Sequence, residues 1–388
     1  MPTQWQDIMT SATALRRELH QHPELGWQEV RTAERIRTTL SSLNIPWRAC
    51  AGTGTLAWLN RNSSGRHLAL RGDIDALPIQ EKTASDWASR NDGCMHACGH
   101  DGHTATLLAS AQWLKLHEAQ LPGPLTLIFQ PAEEGGHGAR EMIRDGALDG
   151  VDEIYGWHNW PAIPFGKLVC PDDIVMCGNG IFTITVNGEG GHASQPELCR
   201  DPVLAASAIT LALQQIISRR LPPQRAAVLS VTSIEAPSAA TVIPAQARLG
   251  GSIRIPDEES RKHLNQLIIE IASQTAQSYG VSCEVDIEPR YQATINHPQP
   301  AQRLRKLWQQ LHGEQALAKD IAVPIMASED FSYYLREIPG AFALIGADDG
   351  RNHSKPCHSA HYDFNDRLIP MVSRLYAGLA GLTTDSSN

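Results

Sequence analysis

"LTLIFQPAEEGGHG" (residues 125–138) opens as an unbroken apolar run and ends in two adjacent carboxylates and a glycine turn. The run has the length of a β-strand, and the turn residues mark its end. Other stretches share this design. "TLAWLN" (55–60), "HLALRG" (67–72) and "EIYGWHN" (153–159) are short and apolar. "TATLLASAQWLKLHEA" (104–119) carries helical spacing between them. Residues 11–43 read as a helix broken at the loop "HQHPELGW", where Pro23 forbids helix continuity. Strands alternating with helices predict an α/β domain with flanking helices around a mixed, largely parallel sheet.

The pattern changes near Gly178. "GIFTITVNGEG" alternates as a half-buried strand does, and 202–221 is a long helical stretch. Strands at 226–236 and 247–256, a helix over 257–280 and a strand at 282–288 follow. Asp257 suits the N-cap of that helix and Gly280 its C-cap. The order β-α-β-β-α-β predicts an inserted ferredoxin-like α+β domain. The expected division is 1–177 with 294–388 for the main domain and 178–293 for the insert. Beyond it, 301–312 and 366–382 read as helices and "AFALIG" (341–346) as a strand.

Bulk properties narrow the function. The chain has 388 residues, long enough for two domains, and a formal charge of −9 with its basic residues scattered. That balance argues against a nucleic-acid surface. No apolar run approaches the roughly 18 residues of a membrane span. The N-terminal stretch lacks a basic start followed by an apolar segment, so the cytoplasm is expected. The eight cysteines (50, 94, 98, 170, 177, 199, 283 and 357) are sparse for a disulfide scaffold. Seven read as small buried hydrophobes. Cys98, in "MHACGHDGHTA" (95–105), sits among three histidines and an aspartate just before a helix start.

In parallel sheets, ligands gather at the carboxyl ends of strands. Here those ends carry Asp73 and Asp75, Glu133 and Glu134, and His158. A loop after "AFALIG" adds His353, His358 and His361. Any one of these alone reads as an ordinary solvated or hydrogen-bonded residue. Their convergence on Cys, His and Glu, the side chains that bind zinc-like metals, points to a metal site built on a scaffold. The zinc-finger pattern of paired Cys or His at short spacing twice over and the H-E-x-x-H helix are both absent, which argues against a zinc finger and a zincin. Adjacent acids on a turning segment point in different directions, so one of Glu133 and Glu134 can hold a metal while the other serves as a base.

Nine blocks in order then carry a resemblance. They are "LHQHPELGWQE", "LRGDIDALPI", "MHACGHDGHTA", "FQPAEEGGHGA", "GWHNWP", "GEGGHAS", "TVIPAQARLGGSIR", "SEDFSYY" and "CHSAHYDFND". Together they resemble the amidohydrolase branch of the aminoacylase and carboxypeptidase metallopeptidase family, which includes hippurate hydrolases, auxin-conjugate amidohydrolases and N-acetyl-amino-acid deacetylases. The resemblance implies a zinc-exopeptidase-like catalytic domain with an inserted lid and dimerisation domain. It implies two divalent metal ions: zinc or manganese first, nickel or cobalt as alternatives. Cys98 would bridge them, with His100, Glu134, His158 and His358 as the other ligands. Glu133 would be the general base. Asp75, and in the same way Asp101, would orient ligands. His192 would reach the partner subunit's site and donate to the oxyanion. Arg254, Thr241 and Asn296 would bind substrate.

The remaining histidines read as bland. His96 and His103 are neighbours of the ligands, His137, His353 and His361 rank below His358, and His20 and His22 are structural. Trp157 and Trp160 are core or pocket wall. Two positions depart from the family pattern: Thr241 stands where Asn is common before "VIP", and Asp366 where Glu is common in the tail. The implied activity is hydrolysis of N-acyl-L-amino acids, small-molecule substrates, by a homodimer. The alternatives are a carboxypeptidase or dipeptidase on the same scaffold, a non-catalytic metal-binding relative, and a redox switch in which Cys98 pairs with another cysteine.

Overall fold

The apolar spacing of the first helix, α1 (Gln4–Gln21), buries Trp5, Ile8, Met9, Ala12, Leu15 and Leu19 on one stripe. The helix stops two residues before Pro23, and its start at Gln4 is earlier than the sequence pattern at 11 suggested. α2 (Val30–Ser42) follows on the far side of the loop. The computed structural model describes residues 4–382. No described helix is long and apolar enough to cross a membrane.

The chain forms two compact units. The first comprises the described residues up to Val175, Ile295–Val323 and those from Asp330 onward. Its strands are β1 (Trp47–Cys50), β2 (Gly54–Leu59), β3 (Leu68–Asp73), β4 (Leu125–Gln130), β5 (Glu153–Pro164), β6 (Leu168–Val169) and β7 (Gly340–Asp348). They form one seven-stranded sheet in the order β1-β2-β4-β3-β5-β7-β6. The central four, β4-β3-β5-β7, are parallel, and the flanking pairings are antiparallel. Every residue of β4 is buried, as expected of a strand covered on both faces.

α3 (His100–Leu116) is buried on nearly every side and packs against α1 and β3. Its small and apolar residues, Ala105, Leu107, Leu108, Ala109 and Ala111, let it sit within the core. It starts at His100, four residues before the point that helical spacing indicated. The ligand-rich loop therefore includes its first turn. Shorter helices, α4 (Gly138–Arg144), α5 (Pro298–His312), α6 (Ser332–Glu337) and α7 (Leu368–Leu379), complete this unit, with α7 packed on α3.

The second unit comprises Met176–Thr294 and Pro324–Glu329. It holds an antiparallel four-stranded sheet in the order Val228–Glu235, Gln246–Ile255, Gly178–Asn187, Ser282–Pro289. The buried and less buried residues of Gly178–Asn187 alternate strictly, which commits one face to the core. Helices Pro202–Gln215 and Glu258–Ser278 cover that face through Ala205, Ile209, Leu213, Leu264 and Ile268. Asp257 caps the second helix by accepting from Ser260 N. The first helix is shorter than the expected 202–221, because residues Ile216–Arg220 widen into a π turn.

Candidate metal centre

The parallel register sets the site. Asp73 lies beside Gln130 at the carboxyl ends of β3 and β4, so the segments running on to Asp75 and to Glu133-Glu134 leave the sheet side by side. The Glu134 backbone N–H donates to Asp75 Oδ2 at 2.9 Å and ties the two segments together. β5 brings His158 alongside Leu344 of β7. Gly99 ends the preceding loop at φ +91, and a Cβ there would strike the Asn159 amide oxygen and the Tyr362 hydroxyl. Only glycine meets both demands, so Cys98 and His100 are held at the start of α3.

Cys98 is the hub. Its sulfur lies 3.3 Å from His158 Nε2 and 3.4 Å from His358 Nε2. His158 donates through Nδ1 to its neighbour's carbonyl, Asn159 O, at 2.6 Å. Its Nε2 therefore presents a lone pair to the sulfur. His358 Nε2 also lies 3.1 Å from Glu134 Oε1. Two groups of potential ligands result, Cys98-His100-His158 and Cys98-Glu134-His358, each with its donor atoms within 4.8 Å of one another. They share Cys98. Glu133, 5% exposed, joins His100 and Glu134 in a further group of the same compactness. His358 adopts φ +67, a strained conformation for a non-glycine residue and one that collects at functional sites.

The electrostatics ask for positive charge. Cys357, burial and Glu134 all push the Cys98 thiol up. Burial opposes charge on His100, but Asp73 and Asp75 outweigh it and raise the imidazole to about 10. Its Nδ1 meets Asp75 Oδ1 at 3.1 Å, while the buried Nε2 has no hydrogen-bond partner. That arrangement fits Asp75 as the group that orients His100.

A buried lattice supports these residues. Arg71 donates to Asp73 Oδ2 at 2.6 Å, to Gln130 Oε1 at 2.8 Å and to Asp330 Oδ1 at 3.1 Å. Asp330 also accepts from the Gln130 amide and from Ala139 N, and its own backbone N–H donates to Glu133 Oε1 at 3.2 Å. The sequence reading gave no role to Asp330, although "SEDFSYY" was among its blocks. An acid before an aromatic cluster carries no local signal of a partner 259 residues away.

Asp101 is a correction. It orients no candidate ligand in this structure. Its Oδ2 meets His20 Nδ1 at 2.8 Å and Arg16 Nη1 at 3.8 Å. Arg16 and Arg17 are bound in turn by Asp366, the tail acid that departs from the family's Glu. Burial disfavours charge on His20, but Asp101 and Glu81 overcome it and raise the ring to about 9. The unfolded value is 6.5, so the stabilisation is complete below about pH 6.5 and is lost as pH rises through about 9. Urea midpoints of the wild-type protein should therefore fall over that window relative to His20→Gln. Parallel curves for the two proteins would mean an uncharged ring.

Other expectations sort as follows. His96 is buried with both ring nitrogens unbonded, and burial lowers it to about 4. His103 is locked between Asp73 Oδ1 at 2.6 Å and Asn159 Oδ1 at 2.8 Å. His137 meets the Tyr333 hydroxyl and His353 meets Asp349. Trp157 is core. Asn296 is a second correction: its buried amide donates to Pro171 O and Phe342 O, and its carbonyl accepts from Phe342 N at 2.7 Å. It braces main chain and keeps no donor for a ligand.

In the second unit, exposed His192 pairs with Val242, and Ala193 N donates to Thr241 O, so His192 and Thr241 are neighbours. His192 Nδ1 accepts from Ser194 N at 3.1 Å, which places the ring proton on Nε2. Arg254 spends one nitrogen on Ser252 Oγ and Ile253 O, and no described carboxylate pairs with it.

Comparison with known proteins agrees with this geometry. Residues 69–381 match the model of peptidase family M20/M25/M40. An IAA-amino acid hydrolase of Arabidopsis thaliana (ILR1-like 2) is 37% identical over 371 residues, 94% of this chain and 83% of the relative. The hippurate hydrolase of Campylobacter jejuni is 34% identical over 377 residues, covering 96% and 97%. The crystal structure of Bacillus subtilis YXEP protein, described as a dinuclear metal binding peptidase, superposes with a TM-score of 0.83 at 32% identity, covering 96% and 98%. The spacing of strand-end acids, the shared cysteine and these matches lead to one conclusion: the chain belongs to peptidase family M20/M25/M40.

Proposed function

We propose that this protein is a metal-dependent amidohydrolase that cleaves the amide bond of N-acyl-L-amino acids. The observation that carries this reading is the pair of ligand groups sharing Cys98, with the Glu133 carboxylate beside both His100 and Glu134. The donor set fits two divalent cations: a buried sulfur faced by two imidazole nitrogens, and an unbonded His100 Nε2. Cys98, His100 and His158 would hold one cation, and Cys98, Glu134 and His358 the other. Zinc and manganese are the first candidates, because N, O and S donors suit them; nickel and cobalt follow. Bound there, such ions supply Lewis acidity toward the amide carbonyl and acidify water.

The chain's own residues do the rest. Glu133 takes the proton of the attacking water and passes it to the leaving amine. Asp75 fixes the His100 ring. His192, offered from one copy of the chain to the site of another, donates from Nε2 to the developing oxyanion. Arg254 and Thr241 receive the substrate carboxylate. The inserted unit, 178–293, serves as lid and dimer interface, a reading supported by the exposed Leu204 and Leu211 on its helix and Ile234 on its sheet. The eight free thiols suit the reducing cytoplasm.

The test is a panel of N-acetyl, N-benzoyl and indole-acyl amino acids together with dipeptides, assayed after reloading the stripped protein with each metal. The expected result is release of free amino acid from N-acyl substrates, ahead of dipeptides. Inertness with every metal, or preference for dipeptides, would overturn the reading.

A further inference from the structure

We infer that Cys357 is the redox partner of Cys98, and that a peroxide converts the two thiols into a disulfide that removes Cys98 from the candidate metal centre. Cys357 had read as one more small buried hydrophobe. The structure places it differently.

The backbone sets the pair. His358 N donates to Ala97 O at 2.8 Å, so the peptide unit leading into Cys98 is bonded to the one leaving Cys357. The two Cα atoms are thereby held across a single hydrogen bond, whereas a disulfide needs them within roughly 4.4–6.8 Å. The side chains meet in the same space. The Cys357 thiol lies within hydrogen-bonding reach of the Cys98 sulfur, and Asn159 Nδ2 lies 3.9 Å from Cys357 Sγ. Exposure gives the two sulfurs different parts. Cys98 is 8% exposed and Cys357 is partly exposed, so Cys357 is the sulfur that a dissolved oxidant reaches first.

The chemistry balances. The Cys357 sulfur attacks a peroxide oxygen; the O–O bond breaks, an S–O bond forms, and water or an alcohol leaves with the thiol proton. Cys98 then attacks the Cys357 sulfur; the S–S bond forms, the S–O bond breaks, and hydroxide departs as water with the Cys98 proton. Two thiols and one hydrogen peroxide give one disulfide and two waters, and two electrons pass from sulfur to oxygen. A dithiol reverses the change. The pairing rests on the backbone bond and the side-chain contact, and its effect on hydrolysis rests on the function proposed above.

The experiment uses the full chain, reduced and then treated with equimolar hydrogen peroxide, both metal-stripped and metal-loaded. Intact mass, thiol titration and peptide mapping report the bond, while metal uptake and hydrolysis report its consequence. The stripped protein should lose two titratable thiols and two hydrogens, with the Cys98 and Cys357 peptides linked. Its uptake of zinc should fall by about 10-fold or more and return with dithiothreitol. Cys357→Ser should retain basal hydrolysis and give oxygen adducts at Cys98 in place of the link. A map showing Cys98 and Cys357 unlinked after the wild-type protein has reacted, or Cys98 joined to another cysteine, would overturn the inference. If even the reduced, loaded protein hydrolyses nothing, the proposed function fails, and the map still decides the thiol pair.

Discussion

Glu133→Gln should lower kcat for N-acyl amino acid hydrolysis by about 10²- to 10⁴-fold while leaving bound metal unchanged. The amide is nearly isosteric with the carboxylate and can still accept from Asp330 N, so the fold has little reason to respond. What disappears is the capacity to accept a proton from water. Glu134→Gln provides the contrast. Its carboxylate faces His358 Nε2 at 3.1 Å, within the group around Cys98, so its loss should appear first in metal content. Steady-state kinetics and elemental analysis on the same samples separate the two roles. A Glu133→Gln enzyme within twofold of wild type would place the base elsewhere.

Asp330→Ala should cost about 3–5 kcal/mol of unfolding free energy, because it strips one partner from a buried ionic lattice. Arg71 and Asp330 are both fully buried. Without the carboxylate, Arg71 Nη2, the Gln130 amide and Ala139 N lose an acceptor, and the buried guanidinium loses one of its counter-charges, Asp73 being another. Hydrolysis should fall as well, since the lost side-chain bonds hold in place the backbone whose N–H at residue 330 anchors Glu133. Urea unfolding of the metal-stripped protein isolates the stability effect from metal binding. A loss under about 1 kcal/mol would show that the lattice relaxes around the gap and that the charges are poorly coupled.

The sequence was informative wherever chemistry repeats locally. Apolar runs ending in acids located β3 and β4, and one ending in a histidine located β5, because a strand buried on both faces has no polar alternative. The change to strict alternation near Gly178 marked an antiparallel sheet with one covered face. The spacing of Cys98 and His100 around a glycine, and the adjacent Glu133 and Glu134, announced a site before any coordinate did. In "MHACGHDGHTA" the family resemblance set Cys98 and His100 apart as ligands, but local spacing alone did not apportion the polar residues. All of them fall in the first turn of one helix or in the loop leading into it, where local spacing gives each a similar prospect. Packing separated them. His103 turned to Asp73 and Asn159, Asp101 to His20 on α1, and His96 into a buried space without a partner. Asp330 and Cys357 gained their meaning from residues more than 190 positions away. The sequence by itself determined which elements form and which carry reactive ends, because those depend on periodicity within a few residues. Only the tertiary structure decided which charges and sulfurs face one another, because burial forces each buried charge to find a partner wherever the chain happens to return.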